Sequence, residues 1–135
     1  MRRDFENPEI PRSGALPAHA YMIPFADKTG ALSGKRDASP YVKSLCGDWF
    51  FTYYNRYIDV PKTVAEHINE EQKTIPVPSS WQMQGYGTAQ YVNCAYPFPL
   101  NPPHVPVNTP VGVYQRTFTL PESFAGRRTH IVFEG

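Results

Sequence analysis

Residues 47–54 read GDWFFTYY, with Trp49, Phe51 and Tyr53 alternating with Phe50, Thr52 and Tyr54. Bulk therefore falls on both faces of an extended segment, which predicts a strand inside a sheet or sandwich. A second strand is expected over GVYQRTFTL, where Val113, Gln115, Thr117 and Thr119 oppose Tyr114, Arg116, Phe118 and Leu120. KTIPVPSSW reads as a short edge-like strand interrupted by Pro76 and Pro78, and THIVFEG as a further strand. PESFAGRR between them reads as a turn or a single helical turn. One short helix is predicted over 61–69. There Asp59 can cap, Pro61 suits the first turn, and Val64, His67 and Ile68 share a face.

Two stretches resist regular structure. Residues 1–40 carry Pro8, Pro11, Pro17, Pro24 and Pro40, each of which removes an amide donor and fixes φ. Ile10, Leu16, Tyr21, Ile23 and Phe25 are scattered among them. The expectation is an extended N-terminal arm docked through these anchors onto its own domain or a neighbour. Residues 81–109 hold Gly85, Gly87 and paired prolines, and predict a long irregular loop of the kind that is usually functional.

Composition sharpens this picture. The chain has 135 residues, enough for one domain with a core, and its 15 Pro and 9 Gly favour an all-β, loop-rich body. The division expected is 1–40 as arm and 41–135 as domain. About four strands can be found, with no closing partner for the last. An open sheet edge exposes unpaired backbone groups, so the chain is expected to be a piece of a longer polypeptide. A formal net charge of +1 offers no basic stripe for nucleic acid. No apolar run is long enough to span a bilayer, and the N-terminus shows no signal-peptide pattern, which leaves cytoplasm or periplasm. Cys46 and Cys94 make no disulfide framework and read as two buried thiols.

Enzyme motifs are missing: there is no GxSxG, P-loop, GxGxxG or HExxH. His19, His67, His104 and His130 are widely spaced and lack ligand companions. A glycosidase needs two carboxylates about the scissile bond. Glu66, Glu70, Glu71 and Glu122 read as solvated, and Glu134 is the one placed like a site residue.

The candidate chemistry lies instead in 79–114, which contains no Lys, Arg, Asp or Glu. Sugar sites combine aromatic faces with neutral amides that donate and accept at once. Gln82, Gln84, Gln90, Asn93, Asn101 and Asn108 supply amides, and Trp81, Tyr86, Tyr91, Tyr96 and Phe98 supply rings. The same residue types also fill turns and protein interfaces, so this pattern leaves both readings open. Trp49 and Trp81 read as packing groups.

The pieces SLCGDWFF, IPVPSSWQMQGY, QYVNCAYPFPLNPPHVPVNTPVGVYQRTFTLP and GRRTHIVFEG resemble the N-terminal part of glycoside hydrolase family 2, specifically its LacZ-type β-galactosidases. The resemblance implies the start of a galactose-binding-like jelly-roll β-sandwich, which precedes immunoglobulin-like domains and a catalytic barrel. It places the catalytic glutamates outside this chain and makes Asn93, in the Y-x-N motif, a contact to galactosyl hydroxyls. It also implies a retaining hydrolase of terminal β-D-galactosides that forms a homo-oligomer. Such enzymes use magnesium and a monovalent cation, with no cofactor expected in this chain. A stand-alone carbohydrate-binding module and a subunit-assembly module are the alternatives. The chain departs from the family at Ser80, Gly87 and Val92, where Asn, an acidic or amide residue, and Thr are frequent.

Overall fold

The computed structural model describes residues 4–68, 71–93 and 95–133. They fall into two compact units, one from Met1–Leu16 with Cys46–Arg116, the other from Pro17–Leu45 with Thr117–Gly135.

The first unit is built on a three-stranded antiparallel sheet, which makes the protein all-β. Its strands are β1 (Gly47–Tyr54), β2 (Thr74–Val77) and β3 (Val111–Gln115), in the order β2-β1-β3. β1 is the central strand, as its two-sided bulk predicts. β2 lies at the edge, and its proline explains why. Phe51 N donates to Lys73 O at 2.9 Å, so the alternating ladder makes Trp49–Ile75 a hydrogen-bonded pair and Asp48–Pro76 a non-bonded one. Pro76 therefore turns its donor-less nitrogen to the open edge, where nothing is lost.

The register sorts side chains onto two faces. Trp49, Phe51, Tyr53, Ile75, Gly112 and Tyr114 share one of them. Phe51 and Ile75 are the buried hydrophobic residues, each 3% exposed. Around Phe51 gather Tyr86 at 4.7 Å, Tyr114 at 4.8 Å and Trp81 at 6.0 Å between ring centroids. Their tilted and edge-on arrangements are those aromatic quadrupoles favour. The second face carries Phe50, Thr52 and Tyr54 with Val111, Val113 and Gln115. There Thr52 Oγ1 and Gln72 Oε1 are buried without a hydrogen-bond partner among the described residues. Extending the β1–β2 register by two positions sets these two residues opposite each other.

Several expectations need correction. No helix forms at 61–68, and residue 69 lies outside the described residues. The segment makes turns instead, with Val64 N donating to Pro61 O at 3.1 Å and Glu66 N to Thr63 O at 2.9 Å. Gln115 Nε2 donates to both Val64 O and His67 O, at 2.8 Å each. A side chain of β3 thus takes carbonyls that a helix would turn to its own backbone. Among the described residues the α-helix is α1 (Lys28–Leu32), in the proline-free stretch 25–39. Asp27 caps it, its carboxylate accepting Gly30 N at 2.8 Å.

The strand expected over 112–120 starts one residue earlier and ends at Gln115, because Arg116 turns aside. Its Nη1 donates to Cys46 O at 3.0 Å and its guanidinium stands 6.0 Å from the Trp49 ring centroid. Residues 129–133 are not a strand: they have no ladder to join, and Phe133 is 82% exposed. The turn expected in PESFAGRR is present as a single 3-10 turn, Glu122–Phe124. Cys46 is exposed rather than buried, and Cys94 lies outside the described residues.

Residues 4–40 make contacts in each of the two units. In the first unit, Phe5 meets Tyr57 edge-on at 5.7 Å, and Glu6 Oε1 accepts Val105 N at 3.1 Å. In the second unit, Ser39 is buried, donating its hydroxyl to Pro24 O at 2.5 Å and accepting Tyr41 N at 3.1 Å. Ser123 Oγ donates to Pro40 O at 2.7 Å, and the Arg127 guanidinium sits 4.4 Å from the Tyr41 ring centroid. Ile10, Ile23 and Phe25 are half-buried, whereas Leu16 and Tyr21 remain exposed.

One ion pair carries a pH prediction. Arg56 forks onto Asp59, with Nε to Oδ2 at 2.8 Å and Nη2 to Oδ1 at 2.6 Å, closing the turn Tyr57–Asp59. The Arg56 hydrogen bond holds the Asp59 carboxyl below its ordinary value, aided by the guanidinium charge and opposed by desolvation. A depressed carboxylate stabilises the fold above its unfolded pKa. That contribution is lost as pH falls through the lower, folded value. The side chains remain 48% and 35% exposed, so solvent and salt screen the pair. Asp59→Asn is expected to flatten the acid limb of a thermal-stability profile slightly at low salt and to have no effect at high salt.

Candidate functional site

The uncharged loop begins at the end of β2 and closes at the start of β3. Its entry is the 3-10 turn Trp81–Gln84, ended by Gly85 at φ 88°. Trp81 and Tyr86 are half-buried against Phe51 and Tyr53, so neither ring is presented for ligand stacking. Packing is thus the role of Trp81. Trp49 is likewise half-buried beneath Arg116.

Gly87 has a local reason for being glycine. Its φ is +66°, and a Cβ there would come within 2.9 Å of the Tyr53 hydroxyl. A side chain there would therefore meet both an unfavourable backbone region and a close neighbour. Ser80 donates its hydroxyl to Gln82 Oε1 at 2.5 Å. That bond occupies one of the candidate amides locally.

Residues 88–93 and 95–104 are exposed. Asn93 lies there, and its Nδ2 donates to the Tyr91 hydroxyl at 2.9 Å. This bond uses one amide hydrogen and one phenol lone pair. The amide oxygen can still accept and the phenol hydrogen can still donate. A neutral acceptor beside a neutral donor suits a hydroxyl ligand, which can do both. Residue types alone do not pair Tyr91 with Asn93. The signal was their i, i+2 spacing, which puts both side chains on one side of extended backbone. Tyr96 and Phe98 form a tilted pair 6.2 Å apart, and with Tyr91, Val92 and Leu100 they leave a run of apolar surface exposed.

The other candidates separate. Asn101 lines an open groove of about 290 Å³ with Pro99, His104, Val105, Pro106 and Val107. Gln84, Gln90 and Asn108 are exposed, and nothing draws them to Asn93. His67 offers its carbonyl to Gln115, while the His19 ring Nδ1 lies 2.8 Å from Ala20 O. Among the described residues, no group of three or more His, Cys, Asp or Glu could hold a metal ion. Glu66, Glu71 and Glu122 are exposed, and Glu70 and Glu134 lie outside the described residues. No described helix is long and apolar enough to cross a membrane.

An all-β body presenting an uncharged aromatic loop, with a neutral amide at its exposed part, is the profile of a carbohydrate-recognition domain. Residues 42–135 match the family described as "Glycosyl hydrolases family 2, sugar binding domain", and the chain belongs to that family. It is 38% identical over 136 residues to a beta-galactosidase of Pectobacterium atrosepticum, covering 99% of this chain and 13% of that protein. Against a beta-galactosidase of Yersinia enterocolitica it is 40% identical over 137 residues, covering 100% of the chain and 13% of the relative. Against one from Oenococcus oeni it is 36% identical over 135 residues, covering 99% of the chain and 12% of the relative. The chain thus spans about an eighth of the length of these relatives.

Proposed function

We propose that this chain is the N-terminal sugar-binding portion of a retaining β-galactosidase that hydrolyses terminal β-D-galactosides. It makes no bond-breaking contribution of its own. The relatives aligned along the whole chain support this, and all are beta-galactosidases several times longer. In this reading the three-stranded sheet is one part of a jelly-roll sandwich that the longer polypeptide completes, and residues 1–40 are its leader arm. The catalytic carboxylates, and the magnesium and monovalent-cation sites, belong to the remaining domains. The longer polypeptide assembles as a homo-oligomer.

The observation that carries the site is the Asn93–Tyr91 hydrogen bond within an exposed, uncharged loop. The loop acts as a wedge. Its aromatic surface is covered by another domain, and Asn93 meets galactosyl hydroxyls from the side. Pro97, Pro99, Pro102 and Pro103 reduce the entropy lost in holding that shape. One neutral hydrogen bond contributes about 0.5–1.5 kcal/mol, and more when a partner is left unsatisfied. Asn93→Ala in the longer polypeptide should therefore raise KM for a chromogenic galactoside by about two- to tenfold while the melting temperature holds. Unchanged kinetics would remove Asn93 from the site.

A further inference from the structure

A glycine in the middle of a strand needs a reason, because it lacks a side chain to pack and carries an entropic cost. Gly112 sits in β3 opposite Tyr53, and its backbone is not in the left-handed region. Its reason is space. A Cβ built there would overlap Trp81 Cζ3 and Cε3 and stand 2.7 Å from Phe51 Cε2. The indole edge lies directly on the strand backbone. Trp81 is the first residue of the loop's entry turn, and Gly112 is the second residue of the strand that receives its exit. The contact therefore joins the two stems of the loop that carries Asn93.

The next contacts continue from this point. Tyr86 packs on Phe51 and Tyr53, and Gly87 lies under the Tyr53 hydroxyl. Past Gly87 the interactions of Tyr91, Asn93, Tyr96 and Phe98 run within the loop. They shape it without tying it to the sheet. Farther along, Val105 N is held by Glu6 Oε1 of the N-terminal segment; on the sheet itself the loop is held at its stems.

We propose that Trp81 and Gly112 form a neck that positions the Asn93 loop, and that they are positioning residues for galactosyl recognition. The second half of this statement rests on the proposed function; the first does not. A methyl group at Gly112 must push the indole away from the sheet, and the loop must turn with it. The neck acts through geometry alone, so a side chain too small to reach Gly112 should make the added methyl harmless.

The test begins with the 135-residue chain, labelled with 15N. Gly112→Ala should move the Asn93 side-chain amide signal and the backbone signals of 88–105. A double-mutant cycle with Trp81→Leu should reduce those shifts and the accompanying stability loss at least about threefold, because contacting pairs are non-additive. Shifts confined to β1 and β3 would overturn the neck. So would an equal effect of Gly112→Ala in both backgrounds, since the strand itself would then require the glycine. If Gly112→Ala does not fold, Trp81→Leu alone must still displace the Asn93 signal while the β1–β3 ladder amides stay protected. An unmoved Asn93 signal there would also overturn it.

In the full-length enzyme of the proposed reading, Gly112→Ala should raise KM for a chromogenic galactoside about three- to tenfold with kcat little changed. It should add nothing further in an Asn93→Ala background. Displaced loop signals with wild-type KM would uphold the neck and remove Asn93 from sugar recognition. Wild-type KM with undisplaced signals would overturn the neck itself.

Discussion

Phe51→Ala is expected to abolish the ordered sheet. Among the described residues Phe51 is one of two buried hydrophobic ones, and it is the ring on which Trp81, Tyr86 and Tyr114 converge. Truncating a buried Phe costs about 3–5 kcal/mol through lost transfer energy and the cavity left behind. Small domains have only about 5–15 kcal/mol in total, and one with so few buried side chains belongs at the low end. The substitution also removes three ring–ring contacts at once, on both stems of the loop. Near-UV circular dichroism should lose its aromatic signal, and amide protection along β1 should vanish. A variant that keeps a cooperative transition within about 1 kcal/mol of the parent would mean that the core lies elsewhere.

Ile75→Ala should cost about 2–4 kcal/mol, and its effect should be uneven. Ile75 is the other buried hydrophobic residue, but it stands on the edge strand β2, which pairs with β1 alone. Losing the branched side chain removes what holds β2 against the face carrying Phe51. Hydrogen exchange should accelerate first at 74–77, while the β1–β3 ladder persists to higher denaturant. Ile75→Val, which keeps most of the volume, should cost about 1 kcal/mol and leave exchange at 74–77 slow. Uniform acceleration across all three strands in the Ala variant would show that the sheet opens as a single unit.

These two residues also show how far local pattern reaches. The alternation of Trp49, Phe51 and Tyr53 with Phe50, Thr52 and Tyr54 is a property of neighbouring residues. The central strand it predicts is present at Gly47–Tyr54. Pro76 and Pro78 announce an edge, and β2 is one. The irregular loop follows equally from its glycines and prolines. The failures have a different origin. The 61–69 pattern is sound for a helix by spacing and capping, yet Gln115, about fifty residues away, takes the carbonyls of Val64 and His67. The apolar residues 131–133 suit a strand, but a strand requires a ladder partner, which no local pattern supplies. The small helix Lys28–Leu32 was hidden by the surrounding prolines, although Asp27 marked its start.

The candidate site divides in the same way. Its chemistry, neutral amides and rings without charge, could be read directly from residue types in 79–114. Which of those groups are presented could not. Trp81 and Tyr86 leave the candidate set because Phe51 and Tyr53 draw them to the sheet, and Asn93 gains Tyr91 as its partner.

Residue order alone thus establishes an all-β body, a central aromatic strand and a stiff uncharged loop, because periodicity, proline and composition act over a few neighbours; the family resemblance rests instead on the longer motifs matched in order along the chain. Packing settles the rest: which aromatic rings are spent on the core, why position 112 must lack a side chain, and where the loop departs from the sheet. Those outcomes depend on contacts between residues about thirty or more positions apart, such as Trp81 with Gly112 and Phe51 with Tyr114. Excluded volume and burial act between such residues only after the chain has folded.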